Sequence, residues 1–239
     1  TSGNTGMAVA LIAAVKGYKA VLVMSEIQSM ERRRVLWALG AELVLTPKAE
    51  GTKGAKARAL EIHEATPGSF YVCQHDNPDN PRAHEHTTGP EIWSDTDGHI
   101  DVFVGPLGTG GTLCGVARAL KPLKPGLRIV GVEPAEAPFI SQGRFQPHRM
   151  MGTAPGFVPG VLDRELIDEI TLVSEEDAFR TCREVARKEG VLVGISSGAS
   201  VRAALDLAAR PEHRDQTVVC VLCDSGERYL SVQGLFDSD

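Results

Sequence analysis

No apolar run in the sequence approaches the roughly 20 residues that a membrane-spanning helix needs, so we expect no membrane partner. A basic excess is also absent, because 25 Lys and Arg against 31 Asp and Glu give a formal net charge of −6. That balance argues against a nucleic-acid backbone as the main partner. Aromatic residues are scarce at 5% of the 239 residues, whereas the 42% of hydrophobic residues is ordinary for a globular protein with an ample core.

Cysteine is too sparse for a disulfide framework. The five cysteines are typical of reduced, mostly buried thiols in a cytosolic protein. Cys220 and Cys223 have the spacing of a redox or zinc motif, but they overlap a buried strand predicted at 218–222. Residues three apart on a strand face opposite sides, and no second Cys or His pair accompanies them. We therefore expect no metal site.

Short apolar runs alternate with helical patterns along the chain, which is typical of a parallel sheet covered by helices. The pattern predicts strands at 20–24, 42–45, 70–72, 100–104, 128–132, 191–195 and 218–222. It predicts helices at 7–15, 29–39, 53–65, 84–93, 113–120 and 175–189, and a last one ending at Ala209. The three consecutive arginines at 32–34 are predicted to form a solvated helix face.

A glycine-rich stretch, Gly105-Pro-Leu-Gly108-Thr109-Gly110-Gly111-Thr112, separates a predicted strand from a predicted helix. Bare N–H groups at a helix start and the positive end of the helix dipole form an anion site, most often for phosphate. The glycines let the backbone approach a ligand closely, and the two threonines add hydroxyl donors. The stretch therefore predicts a site for a cofactor phosphate.

Two alternatives to a phosphate-cofactor site remain open for this stretch. A Gly-rich turn of this kind also occurs with nothing bound. No Lys-Ser/Thr follows the glycines, so it is not a P-loop. A dinucleotide fingerprint would have its third glycine at position 113, where this chain has Leu113. Glu133, however, ends the next strand near the distance expected for a ribose-binding acid. Nicotinamide binding therefore stays a weak alternative.

Two more loops place small polar residues before a helix, at Thr1–Gly6 and at Ser196–Ser200. They suit an anion as well as a helix cap. Gln74 directly follows a predicted strand, and ligands of open α/β sheets gather at the carboxyl ends of strands. These loops and Gln74 are the further candidates for a binding site.

Together these features resemble the fold-type II pyridoxal-phosphate enzymes and, within them, the cysteine synthase (O-acetylserine sulfhydrylase) family. The resemblance covers the whole chain, and its motifs occur in the family's order. They are TSGNTG at 1–6, ERRxxLxxLGAEL at 31–43, Gln74 with Asn77-Pro-x-Asn80, TTGPEIW at 87–93, GTGGT at 108–112, VEP at 132–134, PGFVPxxLD at 155–163, GISSGAS at 194–200 and SGERYLS at 225–231.

The resemblance implies an α/β fold in two parts, each a three-layer αβα arrangement with mostly parallel sheets, similar to the tryptophan synthase β subunit. Residues 1–77 would form the smaller domain, lacking its beginning, and residues 78–239 the larger. The family's Schiff-base lysine lies upstream of the TSGNTG motif. We therefore expect the catalytic lysine before Thr1 and the sequence to be a fragment.

The resemblance also implies a role for each candidate residue. The cofactor, pyridoxal 5′-phosphate, would have its phosphate at Gly108, Thr109, Gly110, Gly111 and Thr112. Asn4 would bond the phenolic oxygen of its ring, and Ser196 would face the ring nitrogen. The substrate carboxylate would be held by Thr1, Ser2, Thr5 and Gln74.

The implied reaction is a β-replacement that converts O-acetylserine and sulfide into cysteine and acetate through an external aldimine and an aminoacrylate. The alternatives are a cystathionine β-synthase-like enzyme, a serine/threonine dehydratase, or a non-catalytic binding protein on the same scaffold. His75 stands where many family members carry Phe, which bears on the second-substrate pocket. The family implies a cytoplasmic homodimer, with serine acetyltransferase as a possible partner.

Overall fold

The chain forms two compact units in the computed structural model, which describes residues 1 and 3–237. The first unit contains residues 1–73 and 226–239, and the second contains residues 74–225. The sequence-based division lies at residue 77 and places the C-terminal residues in the larger domain. In the structure the C-terminal segment joins the first unit, because Tyr229 is buried there with its ring under the guanidinium of Arg32.

The first unit is built on a two-stranded parallel sheet. Strands β1 (Val21–Ser25) and β2 (Glu42–Thr46) pair in register from Val21 with Glu42 to Ser25 with Thr46. Its helices are α1 (Asn4–Lys16), α2 (Met30–Ala38) and α3 (Gly51–Glu64). A small core joins the sheet to α1 and α2 through Met7, Ala10, Leu22, Met24, Leu36 and Ala41.

The second unit contains a four-stranded parallel sheet in the order β5-β4-β3-β6. Its strands are β3 (Val102–Pro106), β4 (Arg128–Pro134), β5 (Glu169–Val173) and β6 (Val218–Cys220). The helices are α4 (Asp79–His86), α5 (Thr88–Asp95), α6 (Gly111–Leu120), α7 (Phe139–Gln142), α8 (Glu175–Glu189) and α9 (Ile195–Ala208). Short 3₁₀ turns lie at 48–50, 164–166, 211–213 and 226–229.

Both faces of the central strands are covered, which gives this unit its three layers. On one face Phe103 and Ile129 pack with Leu113 and Val116 of α6, all 0% exposed. The alternate residue Val104 is also fully buried, and α9 packs on the same strand. Because both faces are buried, the strands are continuous apolar runs. The predicted α/β class with parallel sheets is confirmed.

Three predicted elements differ in the structure. Residues 70–72 do not form a strand, and 191–195 contains an isolated bridge between Val193 and Ser225 before α9 begins at Ile195. The helix predicted at 84–93 is two helices, separated at Thr87. Within the described residues, no helix is long and apolar enough to cross a bilayer.

Candidate active site

The glycine loop, defined as residues 107–112, connects β3 to α6. Gly110 occupies the N-cap position of α6 with φ of +81°, in the left-handed region that favours glycine. A Cβ at this position would lie 2.4 Å from Cδ1 of Leu162. Gly110 is therefore required by its backbone conformation and by its packing, and it leaves the start of α6 without a capping side chain.

Two main-chain N–H groups in the first turn of α6 have no acceptor among the described residues. A side chain at the N-cap would ordinarily accept from the N–H groups of the second and third helical residues, here Thr112 and Leu113. Within the residues that the structure describes, neither of these N–H groups has a hydrogen-bond acceptor. Leu113 is 0% exposed. Bare, buried donors at the positive end of a helix dipole fit a bound phosphate.

The hydroxyl of Thr109 is oriented by two neighbours. Its oxygen accepts from Nδ2 of Asn80 at 3.0 Å and from the main-chain N–H of Gly111 at 3.2 Å. A hydroxyl has two acceptor lone pairs and one proton, so the Thr109 proton is left to donate to another group. An anion above the helix start would be such a group.

Asn80 also links Gln74 to the glycine loop. Its Nδ2 donates to the main-chain oxygen of Gln74 at 2.9 Å as well as to Thr109. A Cβ on Gly111 would lie 2.0 Å from Oδ1 of Asn80, so a glycine is needed there for Asn80 to approach. The structure thus brings Gln74, predicted as a substrate ligand, next to the predicted phosphate site.

His84 of α4 contacts the second threonine of the loop. Its Nε2 lies 3.1 Å from the hydroxyl of Thr112, and its Nδ1 lies 2.8 Å from the hydroxyl of Thr88. Burial lowers the pKa of His84 below its usual value of 6.5. The imidazole is therefore neutral at pH 7, with one nitrogen donating and the other accepting.

The lowered pKa of His84 predicts that acid destabilises the protein. Below pH 6.5 the unfolded chain binds a proton at this residue more readily than the folded chain. The free energy of unfolding should therefore decrease as the pH is lowered, by up to about 1.4 kcal/mol per pH unit. Urea denaturation at pH 7.0, 6.0 and 5.0 measures this slope. His148, whose pKa burial also lowers, contributes in the same direction. We expect H84Q to have a shallower slope than wild type, and equal slopes would contradict the argument.

Ser196 lies in the first turn of α9 and is 5% exposed. The main-chain oxygen of Asp224 accepts from the N–H of Gly194 at 3.0 Å and from the hydroxyl of Ser197 at 3.3 Å, which fixes the start of α9 beside the segment after β6. Because β6 pairs in parallel with β3, Ser196 lies at the same sheet edge as the glycine loop.

The remaining candidates lie at the start of α1 in the first unit. Asn4 is exposed, and Thr1 and Thr5 are half-buried. Ser2 lies outside the described residues. The side-chain amide oxygen, Oδ1, of Asn4 accepts hydrogen bonds from Arg32 at 3.0 Å and Arg228 at 2.7 Å. The predicted solvated face at 32–34 is thus wrong for Arg32, which is 2% exposed.

Sequence reasoning assigned no role to the residues that orient the candidates. Asn80 belongs to the motif Asn77-Pro-x-Asn80, but the spacing of that motif does not indicate a contact with Thr109. No local feature distinguishes His84 from the other histidines, and Arg32 was predicted to be one of three solvated arginines. The contacts of all three join residues at least 28 positions apart, which no local pattern reveals.

Comparisons with known proteins cover the chain almost entirely. The family model described as "Pyridoxal-phosphate dependent enzyme" matches residues 1–224. Cysteine synthase A of Salmonella typhi is 49% identical over 240 residues, spanning 97% of this chain and 74% of that protein. A crystal structure of cysteine synthase from Entamoeba histolytica has a TM-score of 0.91 at 40% identity, covering 97% of this chain and 69% of that one. O-ureido-L-serine synthase has a TM-score of 0.92 at 43% identity, covering 100% and 76%. The range matched by the family model contains every candidate site residue.

Proposed function

Because the chain belongs to the cysteine synthase family of pyridoxal-phosphate-dependent enzymes, we propose that it converts O-acetylserine and sulfide into cysteine and acetate. The reaction is a β-replacement, in which the bond from the β-carbon to the acetate oxygen breaks and a bond from that carbon to sulfur forms. The family's cofactor is pyridoxal 5′-phosphate. The named relatives support this activity over a dehydratase, a cystathionine synthase or a non-catalytic role.

The observation that carries the proposal is the buried, uncapped start of α6. The N–H groups of Thr112 and Leu113 and the hydroxyl of Thr109 would donate to the cofactor phosphate. Gly108, Gly110 and Gly111 fix the path of this loop, since a Cβ on each would lie 2.0–2.4 Å from a neighbouring protein atom. Charge-assisted hydrogen bonds of this kind are about twice as strong as neutral ones, so this loop would supply much of the cofactor affinity.

Ser196 is proposed to face the ring nitrogen and Asn4 the phenolic oxygen. When bound, the cofactor draws electron density from the α-carbon of the amino acid. A serine hydroxyl can hydrogen-bond a neutral ring nitrogen but, unlike a carboxylate, does not favour its protonation. Ser196 would therefore keep the ring a weak electron sink, which suits loss of a β-leaving group better than transamination. Its burial excludes water from this contact.

The substrate carboxylate is proposed to bind Thr1, Ser2, Thr5 and Gln74. Hydroxyl, amide and main-chain N–H donors at the start of a helix suit a carboxylate, and α1 has no side-chain cap at Gly3 that would compete for its donors. Gln74 is held close to the glycine loop through Asn80. A carboxylate fixed in this way would orient the α-proton and the leaving group relative to the cofactor.

We also propose that the protein is a cytoplasmic homodimer and that serine acetyltransferase is a partner. The first unit supports self-association, because Leu11, Ile12 and Val15 leave half or more of their surface exposed on α1. The described cysteines form no disulfide with one another, in keeping with a reducing compartment.

The proposed reaction is tested by assaying the protein, expressed from its complete reading frame and loaded with pyridoxal 5′-phosphate, with four substrate pairs. These are O-acetylserine or serine, each with sulfide or homocysteine. We expect cysteine from O-acetylserine and sulfide at a rate at least about 100-fold above either serine pair, since acetate is a better leaving group than hydroxide. O-acetylserine with homocysteine should also react more slowly than O-acetylserine with sulfide. Faster turnover of serine with homocysteine, or of serine without a thiol, would instead assign the synthase-like or dehydratase alternative.

A further inference from the structure

Arg32 is a buried cation on α2 whose contacts converge on the start of α1. Its Nη1 donates to Oδ1 of Asn4 at 3.0 Å, and its Nη2 donates to the hydroxyl of Tyr229. The guanidinium carbon lies 4.8 Å from the centre of the Tyr229 ring, in cation–π geometry. At 2% exposed, the side chain is held in one place by these contacts.

The main chain before α1 is packed on the same guanidinium. A Cβ on Gly3 would lie only 1.6 Å from Nη1 of Arg32. Only a residue without a side chain fits between the guanidinium and the backbone at this point. The position of Arg32 thus sets both the path of the chain into α1 and the location of Asn4.

Arg228 supplies a second cation to the same amide oxygen. Its Nη1 donates to Oδ1 of Asn4 at 2.7 Å. An amide oxygen has two acceptor lone pairs, and both are used by guanidinium donors. A guanidinium has no acceptor, so the Asn4 amide cannot be reversed without placing its NH₂ group against two cations. The orientation of the Asn4 side chain is therefore fixed by the two guanidinium groups that donate to its oxygen.

The consequence is that the Asn4 NH₂ group faces away from both arginines. Asn4 itself is exposed, and within the described part of the chain its Nδ2 donates to no other group. Two cations on the oxygen draw electron density from the amide, which makes its N–H a stronger donor. Such a donor suits an anionic oxygen better than a neutral one.

We propose that Arg32 is a positioning residue that, through Asn4, selects a ligand carrying an anionic ring oxygen. The inference rests on the proposed function, in which Asn4 bonds the phenolic oxygen of the cofactor. Arg32 does not itself contact the ligand. Tyr229 holds Arg32 in place, and Arg228 completes the pair of donors on the amide oxygen.

The test compares two ligands that differ only at the ring oxygen. Cofactor-free full-length protein is titrated with pyridoxamine 5′-phosphate and with the analogue lacking the 3-hydroxyl, and Kd is measured by calorimetry. For R32M we expect Kd for pyridoxamine 5′-phosphate to rise about tenfold and Kd for the analogue to change less than about twofold. R32K, which keeps the cation and a donor, should recover part of the loss. R34M is the matched control, since Arg34 is an exposed arginine of the same helix, and both Kd values should stay at wild type.

The possible outcomes distinguish a failure of the inference about Arg32 from a failure of the proposed role of Asn4. Equal weakening of both ligands by R32M would show a general structural role and overturn the inference. If N4A raises Kd only for the hydroxylated ligand while R32M leaves both Kd values unchanged, the proposed role of Asn4 stands and that of Arg32 is wrong. If N4A does not discriminate between the ligands, the assignment of Asn4 in the proposed function fails. Should R32M not fold, R228M decides the question by the same comparison, because it removes the other donor from the amide oxygen.

Discussion

The Gly108→Ala variant is expected to bind pyridoxal 5′-phosphate about 100-fold more weakly than wild type. The added Cβ would lie 2.4 Å from the main-chain oxygen of Gly152, a distance that real Cβ atoms do not adopt. Since the opposing atom belongs to the backbone, the glycine loop must move away from it. A displaced loop misaligns the donors at the start of α6, and losing one hydrogen bond to a charged group costs up to about 3 kcal/mol.

Gly126→Ala is the matched control for this substitution. Gly126 lies in the same unit, and a Cβ there would meet no atom within 4 Å. Cofactor affinity is measured by titrating each cofactor-free protein, and urea denaturation without cofactor checks that both variants fold. If a folded Gly108→Ala protein binds the cofactor with wild-type affinity, the assignment of the glycine loop to the cofactor site is wrong.

Replacement of Phe103 by alanine is expected to lower the free energy of unfolding by about 3–5 kcal/mol. Phe103 is 0% exposed in the middle of β3 and packs in the cluster that joins the sheet to α6. Removing its ring deletes a large buried apolar surface and leaves a cavity that neighbouring strands fixed by hydrogen bonds cannot close. Because β3 leads directly into the glycine loop, the variant should also bind cofactor less tightly.

The control for Phe103 is Leu123→Ala in the same unit. Leu123 is 58% exposed, so the expected change is within about 0.5 kcal/mol. Urea denaturation measures both variants, and an unchanged dependence on urea concentration shows that the same surface is exposed on unfolding. A loss below about 1 kcal/mol for Phe103→Ala would mean that this core tolerates a cavity.

The sequence predicted those features that depend on neighbouring residues. The apolar runs of β3 and β4 stand out because both faces of these strands are buried, so no polar alternation interrupts them. The start of α8 also depends on near neighbours, because the hydroxyl of Ser174 accepts from the N–H of Asp177 at 3.1 Å. The roles of Gly108–Thr112, Asn4 and Ser196 toward the cofactor stay predictions.

Features that depend on distant residues could not be predicted in this way. Residues 70–72 have strand composition but do not form a strand, because composition does not report the tertiary surroundings of a segment. The burial of Arg32 depends on Tyr229, 197 residues further along the chain. An arginine run on a helix usually indicates a solvated surface, and only the tertiary contact reverses that expectation.

The division of the first unit between residues 1–73 and 226–239 has a consequence for biosynthesis. A nascent chain emerging from the ribosome can complete the second unit while the first still lacks its final segment. Until Tyr229 and Arg228 have emerged from the ribosome, the guanidinium of Arg32 has no aromatic ring to stack on and Asn4 has no Arg228 to bind. Premature termination or proteolytic trimming after residue 225 would therefore remove contacts that orient the side-chain amide of Asn4, more than 200 positions upstream.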